Sequence, residues 1–190
     1  MSNSLKRSTG ALVFAMAVAG LAGTAGADTA VALKAGLFFP SAKLFRDVYS
    51  GGPSFGADVA IPMTGPLHVW AGVDVFSKKG VIPVSEEKTE VRIVPLYAGL
   101  RAQLGHKGLR PYIGLAAAYF VFHEKNPLGT ANDGGLGFLS QAGVQARVGR
   151  AFWLDLFAGY RACTVRSSGA DPLAAQLGGF SLGLGLAYRF

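Results

Sequence analysis

The chain is poor in cysteine, in charge and in long apolar runs, and each shortage excludes something. Cys163 is the single cysteine in 190 residues, so neither an intramolecular disulfide nor a cysteine metal cluster can form. It falls on the inward parity of a strand and reads as a buried, inert thiol. No cysteine lies near the start, so no lipoprotein anchor is expected. Charged residues are 15% of the chain against 51% hydrophobic ones, with 27 glycines and a mean hydropathy of +0.36. A soluble domain so short of charge would be poorly solvated. A helical membrane protein needs apolar runs of about 18 residues or more. Beyond residue 30 every such stretch is broken by a charge, a glycine or a proline. Apolar content without long runs is what alternating membrane strands give.

The formal charge is +7 and the pI near 9.8. A basic chain of this kind invites a nucleic-acid reading. The cations are dispersed through apolar strands and form no patch or stripe, so nucleic acid is rejected as a partner. Positive charge near an outer leaflet would instead meet lipopolysaccharide phosphates. No metal or cofactor motif is present, and no cofactor is expected.

Residues 1–27 have the layout of a cleaved secretory signal. Lys6 and Arg7 form the positive region, Ala11 to Ala22 the apolar region, and Ala25-Gly26-Ala27 the small-residue cleavage site. The alternative is a retained anchor helix, for which the apolar stretch is short. A mature chain from Asp28 keeps sixteen cations against eleven anions, a charge of +5.

From Thr29 onward large apolar residues recur at every second position, the period of a strand. The first strand sets Val31, Leu33, Ala35, Leu37 and Phe39 against Ala32, Lys34, Gly36 and Phe38. Loop residues from Pro40 to Pro53 follow. The second strand runs from Phe55 to Met63, and Thr64-Gly65-Pro66 makes a tight turn. The third runs from Leu67 to Phe76, with a charged loop from Lys78 to Lys88. The fourth runs from Val94 to Gln103. Pro95 lacks a ladder donor and predicts a bulge there. A turn at Gly105-His106-Lys107-Gly108 leads to the fifth strand, Leu109 to Phe122, aromatic on both faces at its far end. A loop spans Glu124 to Gly135. The sixth strand ends at Val148, and Gly149-Arg150-Ala151 turns into the seventh, Phe152 to Cys163. A last loop from Arg166 to Gln176 precedes the eighth strand, Phe180 to Phe190.

Eight strands with connections alternating longer and shorter predict an all-β fold: an eight-stranded antiparallel up-and-down transmembrane β-barrel over residues 28–190. A sheet in hydrocarbon must close, because its unpaired edge groups would find no water. Aromatics gather at both ends of the strands. Phe152, Tyr188 and Phe190 lie at the short-turn end, and Phe39, Phe55, Phe138, Tyr160 and Phe180 at the loop end. Two such girdles are expected at the two bilayer interfaces. The threading puts short turns and both termini in the periplasm, and the chain inserts as a monomer.

Three stretches carry a family resemblance: Pro95-Leu96-Tyr97-Ala98-Gly99-Leu100-Arg101, then Arg110-Pro111-Tyr112-Ile113-Gly114, then Leu184-Gly185-Leu186-Ala187-Tyr188-Arg189-Phe190. With them the chain resembles the small eight-stranded outer-membrane barrels of the OmpA/OmpX type, including opacity-like surface proteins of Gram-negative bacteria. The resemblance covers essentially all of 28–190. It implies an outer-membrane location, and a terminal signal at Tyr188 and Phe190 read by the barrel-assembly machinery. No peptidoglycan-binding domain is expected after the barrel. The family hosts structural proteins, adhesins, small-molecule conduits and lipid A-modifying enzymes, so fold alone leaves function open.

Inward parity gathers the candidate lumen network: Lys34, Asp58, Asp74, Arg101, Gln103, Arg110, Gln141, Gln145, Arg147, Asp155, Arg161 and Arg189. An eight-stranded lumen is only wide enough for side chains to fill, and buried charges must pair. A salt-bridged plug is the favoured reading, with Asp155 a candidate partner for Arg189. The excess of arginine leaves a narrow polar path or an anion site as the alternative. His123 beside Glu124, and Ser77 near Asp74, lie toward the outer rim. A serine, a histidine and a carboxylate there are what a lipid A acyltransferase or deacylase needs. No local motif supports that chemistry. His106 reads as solvated in its turn, and His68 as a lumen residue. The loops mix charges, including Lys43, Arg46, Glu86, Glu87 and Asp171. They are short for a dedicated adhesin. The leading expectation is therefore a non-enzymatic structural or surface-interaction barrel. A conduit for small or apolar molecules comes second and a lipid A-modifying enzyme third.

Overall fold

The computed structural model describes residues 28–81, 88–105, 108–126, 129–166 and 174–190. The signal segment 1–27, His106, Glu86, Glu87 and Asp171 lie outside these residues. Eight strands are present: β1 (Ala30–Pro40), β2 (Gly52–Thr64), β3 (Leu67–Val81), β4 (Lys88–Gln103), β5 (Leu109–Asn126), β6 (Gly129–Arg147), β7 (Phe152–Arg166) and β8 (Ala174–Arg189). Each pairs antiparallel with the next, and β8 pairs with β1 to close the barrel. The seam runs from Val31↔Tyr188 to Phe39↔Phe180. Closure is forced by the outward face. Leu33, Phe55, Ile113, Leu115, Leu156, Phe180 and Leu184 are all more than half exposed, and only an apolar surround makes that surface stable.

The outward rings form the two expected rows. Phe152, Tyr188 and Phe190 touch edge to face at the short-turn end, with ring centroids 5.3 and 5.0 Å apart. Phe138, Tyr160 and Phe180 touch in series at the loop end, at 6.1 and 4.9 Å. Eight residues separate Phe152 from Tyr160 on β7. At ~3.4 Å per residue and a tilt of ~40° that spans roughly 20 Å. This approaches the ~25 Å apolar band of outer-membrane barrels. Just beyond the loop-end row, Ser77, Arg92 and His123 share one register row and all point outward, exposed. A polar row on the outer face marks where hydrocarbon ends.

Several features differ from the sequence reading. The bulge expected at Pro95 is not there. β4 keeps a constant offset against β3 from Val73↔Leu96 to Phe76↔Ile93, and Pro95 stays opposite Phe120 of β5. The ladder to β3 omits two pairings beside the missing N–H and then resumes. The shift in register lies at Pro62–Thr64 instead, next to the β2–β3 turn. The far half of β5 keeps its alternation, with Phe120 buried and Tyr119 and Val121 exposed.

The described residues of the two stretches read as loops, 78–81 and 88 in the first and 124–126 and 129–135 in the second, are strand. β3 and β4 stay paired to Val81↔Lys88, and β5 and β6 to Asn126↔Gly129. Outside hydrocarbon a ladder can be polar on both faces, so alternation no longer reports it. Gly134, which reads as a turn residue, sits under the Tyr119 ring; a Cβ there would lie 2.3 Å from the phenol oxygen. The ring shields a glycine that would otherwise weaken the strand.

The first loop holds a short helix, α1 (Lys43–Tyr49). It has no side-chain N-cap, and seven residues cannot hold a helix in water unaided. Docking supplies the missing stability. Phe45, Val48 and Tyr49 pack on an apolar cluster containing Phe38, Phe76, Val91, Ile93, Phe120 and Leu139, inside the loop end of the barrel. The Tyr49 hydroxyl lies 2.8 Å from the Thr89 hydroxyl on β4. On β3, Gly80 meets the helix backbone: a Cβ there would fall 2.6 Å from the Val48 carbonyl and 2.9 Å from the Tyr49 ring. Gly80→Val should therefore lift α1. Trypsin cleavage at the exposed Lys43 and Arg46 should then accelerate at least several-fold, while the rest of the barrel stays resistant. Unchanged cleavage would mean that the helix does not rest on β3.

Candidate functional site

Alternation sends every second residue of each strand inward, and the inward polar groups meet in two layers. In the middle layer the Asp58 carboxylate is the hub. It accepts hydrogen bonds from the Lys34 ammonium, from the Trp70 indole N–H at 2.9 Å and from Arg101 Nη2 at 3.0 Å. Gln141 Oε1 accepts from Lys34 at 2.9 Å and from Arg101 at 3.3 Å. Asp155 accepts from the Tyr112 hydroxyl at 3.0 Å and lies 3.9 Å from Lys34 Nζ. The Arg101 guanidinium is held between the faces of Trp70 and Tyr112, at 4.5 and 4.4 Å. Lys34, Asp58, Arg101 and Asp155 are all buried.

The second layer closes the short-turn end. Gln103 donates to Gln145 at 2.8 Å, and Arg189 Nη2 donates to Gln103 at 3.1 Å and to Gln145 at 3.0 Å. Arg189 Nη1 donates to Asp28 at 2.7 Å, and Arg110 Nη1 to the same carboxylate at 2.9 Å. Both guanidinium groups flank the Trp153 ring, at 4.8 and 5.2 Å. His68 is buried here and contacts the Pro66 carbonyl through Nδ1.

Two placements depart from expectation. The ion partner of Arg189 is Asp28, not Asp155, because the closing register sets Ala30 against Arg189 and brings Asp28 to the mouth. Arg147 does not join the interior. It is exposed and donates to the carbonyls of Gly149 and Arg150, bracing the β6–β7 turn. Arg161 and Asp74 form a third, looser pair at 3.8 Å on the loop side of the middle layer. Cys163 is buried in the apolar cluster beyond them.

Trp70, Tyr112, Trp153 and Asp28 are members the sequence reading did not assign to the network. A signal existed for Trp70, Tyr112 and Asp28. Tyr112 and Trp70 fall on inward parity, and a buried phenol or indole needs a polar partner. Arg110 and Arg189 lie at one end with no carboxylate on their own strands at that level.

The acyl-transfer constellation is not assembled. Ser77 and His123 point outward, with the Arg92 strand between them, about 10 Å apart at ~4.8 Å per strand. Asp74 points inward, on the other side of the wall. Among the described residues no group of three or more histidine, cysteine and acidic residues could hold a metal.

Asp28 precedes β1, outside the spanning segments. Partial burial pushes its carboxyl up, but the bonds from Arg110 and Arg189 outweigh this and hold its pKa below the ordinary 3.8. A depressed pKa stabilises the fold above the ordinary carboxylate range, and that contribution fades as pH falls through the folded value. Wild type should therefore be more stable than Asp28→Asn by a constant margin above about pH 5. The margin should shrink below 3.8. Urea titrations across pH measure it, and a margin that grew on acidification would contradict the clamp.

No protein-family model and no curated protein sequence matches the chain. Solved structures do. Neisserial surface protein A superposes with a TM-score of 0.59 at 16% identity, over 86% of this chain and 97% of that one. This chain has the fold of the small eight-stranded outer-membrane barrels. The N-terminal barrel domain of Pseudomonas aeruginosa OprF gives 0.54 at 14% identity, covering 87% and 99% of the two chains. E. coli outer membrane protein W gives 0.52 at 15% identity, again over 87% and 99%. At these identities the likeness to other outer-membrane barrels is one of architecture.

Proposed function

We propose that the protein is an integral outer-membrane barrel with a closed interior, acting as a structural or surface-interaction element rather than as a pore. The middle layer carries this reading. Lys34, Asp58, Arg101, Gln141 and Asp155 come from five strands and bond to one another across the cross-section. A paired cluster of buried charges is costly to part, so a permeating ion would meet a closed belt. Planar-bilayer recordings test it: the folded barrel should give no discrete, stable openings. Openings that persist at low voltage would overturn the closed interior and favour a conduit.

Orientation and partners belong to the same proposal. Short turns and both termini face the periplasm, and the secretory segment 1–27 is removed. The monomer sits among lipopolysaccharide, whose phosphates meet Lys43 and Arg46 on α1 and Arg92 on the outer polar row, all exposed. Tyr188 and Phe190 form the signal read by the assembly machinery. Phe190 also bonds the seam, its N–H donating to the Thr29 carbonyl at 3.0 Å. Deleting Phe190 should cut the heat-modifiable, folded fraction in cell envelopes several-fold. Undiminished assembly would remove the role assigned to that residue.

A further inference from the structure

The seam between β1 and β8 runs one step past its last ladder pair, Ala30↔Arg189. There the Asp28 nitrogen donates to a Phe190 oxygen at 3.0 Å, and the Phe190 N–H donates to the Thr29 carbonyl at 3.0 Å. Two residues on the β1 side thus stand against one on the β8 side, the count of a β-bulge. The backbone at Asp28 is left-handed, with φ +93°. A bulge that begins on a left-handed residue usually has glycine there. Any other residue sets its Cβ against the carbonyl of the residue before it. The angle also lies beyond the roughly +50 to +70° region open to other residues. Among the described residues only Ser50, at the end of α1, is a second non-glycine residue with a positive φ. Yet glycine would not serve at position 28, because the Asp28 carboxylate accepts from both Arg110 and Arg189. The position makes two opposed demands, a bare backbone for the bulge and a carboxylate for the clamp.

We propose that the Ala27–Asp28 bond is the processing site of this chain, and that the amino terminus it creates is a structural member of the seam. A first residue meets both demands at once. The left-handed penalty exists only while a carbonyl precedes the nitrogen. With the bond to Ala27 cut, rotation about N–Cα moves hydrogens alone, and Asp28 keeps its carboxylate without strain. The cut is a hydrolysis by a secretory leader protease. The C–N bond between Ala27 and Asp28 breaks, the oxygen of one water enters the Ala27 carboxylate, and its two protons turn the Asp28 N–H into an ammonium. That nitrogen still has hydrogens to donate to Phe190. A chain left uncut must hold the strained backbone or open the bulge, and either weakens the closure of β8 on β1. The small residues Ala25-Gly26-Ala27 point to the same bond on separate grounds. The proposal rests on the removal of residues 1–27 proposed above and adds that the seam itself requires the cut at this bond.

The test is a cycle of four barrels refolded into lipid bicelles. Two start at residue 28, released by a protease that leaves no added residue, and two carry Ala27 ahead of it. One of each pair has Asp28→Gly. Urea unfolding is followed at about pH 9.5, where an amino group of ordinary pKa, ~7.7–8.0, is neutral, so that terminal charge does not enter. Ala27 ahead of Asp28 should lower the folded-to-unfolded ratio by about fivefold. In the Asp28→Gly pair it should change the ratio by less than about twofold, because glycine takes a left-handed φ freely. The clamp lost with Asp28→Gly is missing from both barrels of that pair and cancels. No loss with Asp28, or an equal loss in both pairs, would overturn the seam role. The second result would show that the bulk of an added residue acts, rather than the backbone angle. Mass spectrometry of the protein from cell envelopes gives its natural first residue, and any other than Asp28 overturns the processing site. Asp28 at the terminus with a flat cycle leaves removal of the leader standing and defeats the seam role.

Discussion

Asp58→Ala should destabilise the barrel by about 3–5 kcal/mol, the range for breaking a buried ion pair by removing one partner. The reason is the number of groups that depend on one carboxylate. Asp58 accepts from Lys34, Trp70 and Arg101, and the side chains of Lys34, Asp58 and Arg101 are at most 3% exposed. Without it two buried cations and an indole N–H lose a partner together. The remaining hydrogen-bond acceptor, Gln141, is neutral and already shared by both cations, and the Asp155 carboxylate stands 3.9 Å from Lys34. Asp58→Asn keeps an oxygen acceptor but not the charge, so its effect should be smaller than that of alanine. Urea unfolding in vesicles, followed by tryptophan fluorescence, measures both variants. The chain has two tryptophans, and Trp70 touches the site directly. A loss below about 1 kcal/mol, the range of exposed pairs, would mean that the interior charges are solvated and the layer is not closed.

Leu184→Arg should cost about 2–4 kcal/mol, the penalty for a cation at the bilayer midplane of a transmembrane barrel. The site is chosen by geometry. Leu184 lies four residues from Tyr188 and four from Phe180, midway between the two aromatic rows, and is 54% exposed on the outward face. Its register neighbours Ala35 and Leu156 offer no polar group. The same change at Tyr188, in the interfacial row, should cost only ~0–1 kcal/mol of charge penalty. A flat profile between the two positions would mean that the outward face does not lie in hydrocarbon.

Much of this architecture is legible in the order of residues, and the legible part is local. Parity along β8, where Phe180, Leu182, Leu184, Leu186 and Tyr188 alternate with Ser181, Gly183, Gly185, Ala187 and Arg189, is set by strand geometry alone. The same period yields the strand count, the two aromatic rows and the closure of β8 on β1. Reading fails where the period loses meaning. Beyond the membrane both faces of β3, β4, β5 and β6 can be polar, so paired strand looks like loop from Lys78 and from Glu124. The α1 segment carries no cap and too few turns to announce itself, since its stability comes from the apolar cluster it covers.

The sequence by itself determined which side chains of a strand share a face, because alternation depends only on a residue's own strand. The tertiary structure decided which of them meet, because that depends on the stagger between strands distant in the chain. Lys34 and Asp58 are 24 positions apart, Lys34 and Gln141 are 107, and Asp28 and Arg189 are 161. A one-residue change in any register would reverse a strand's facing, and a two-residue change would keep the facing but exchange the partners. Parity is blind to the second kind of change. It could place Arg189 inside and could not choose between Asp155 and Asp28.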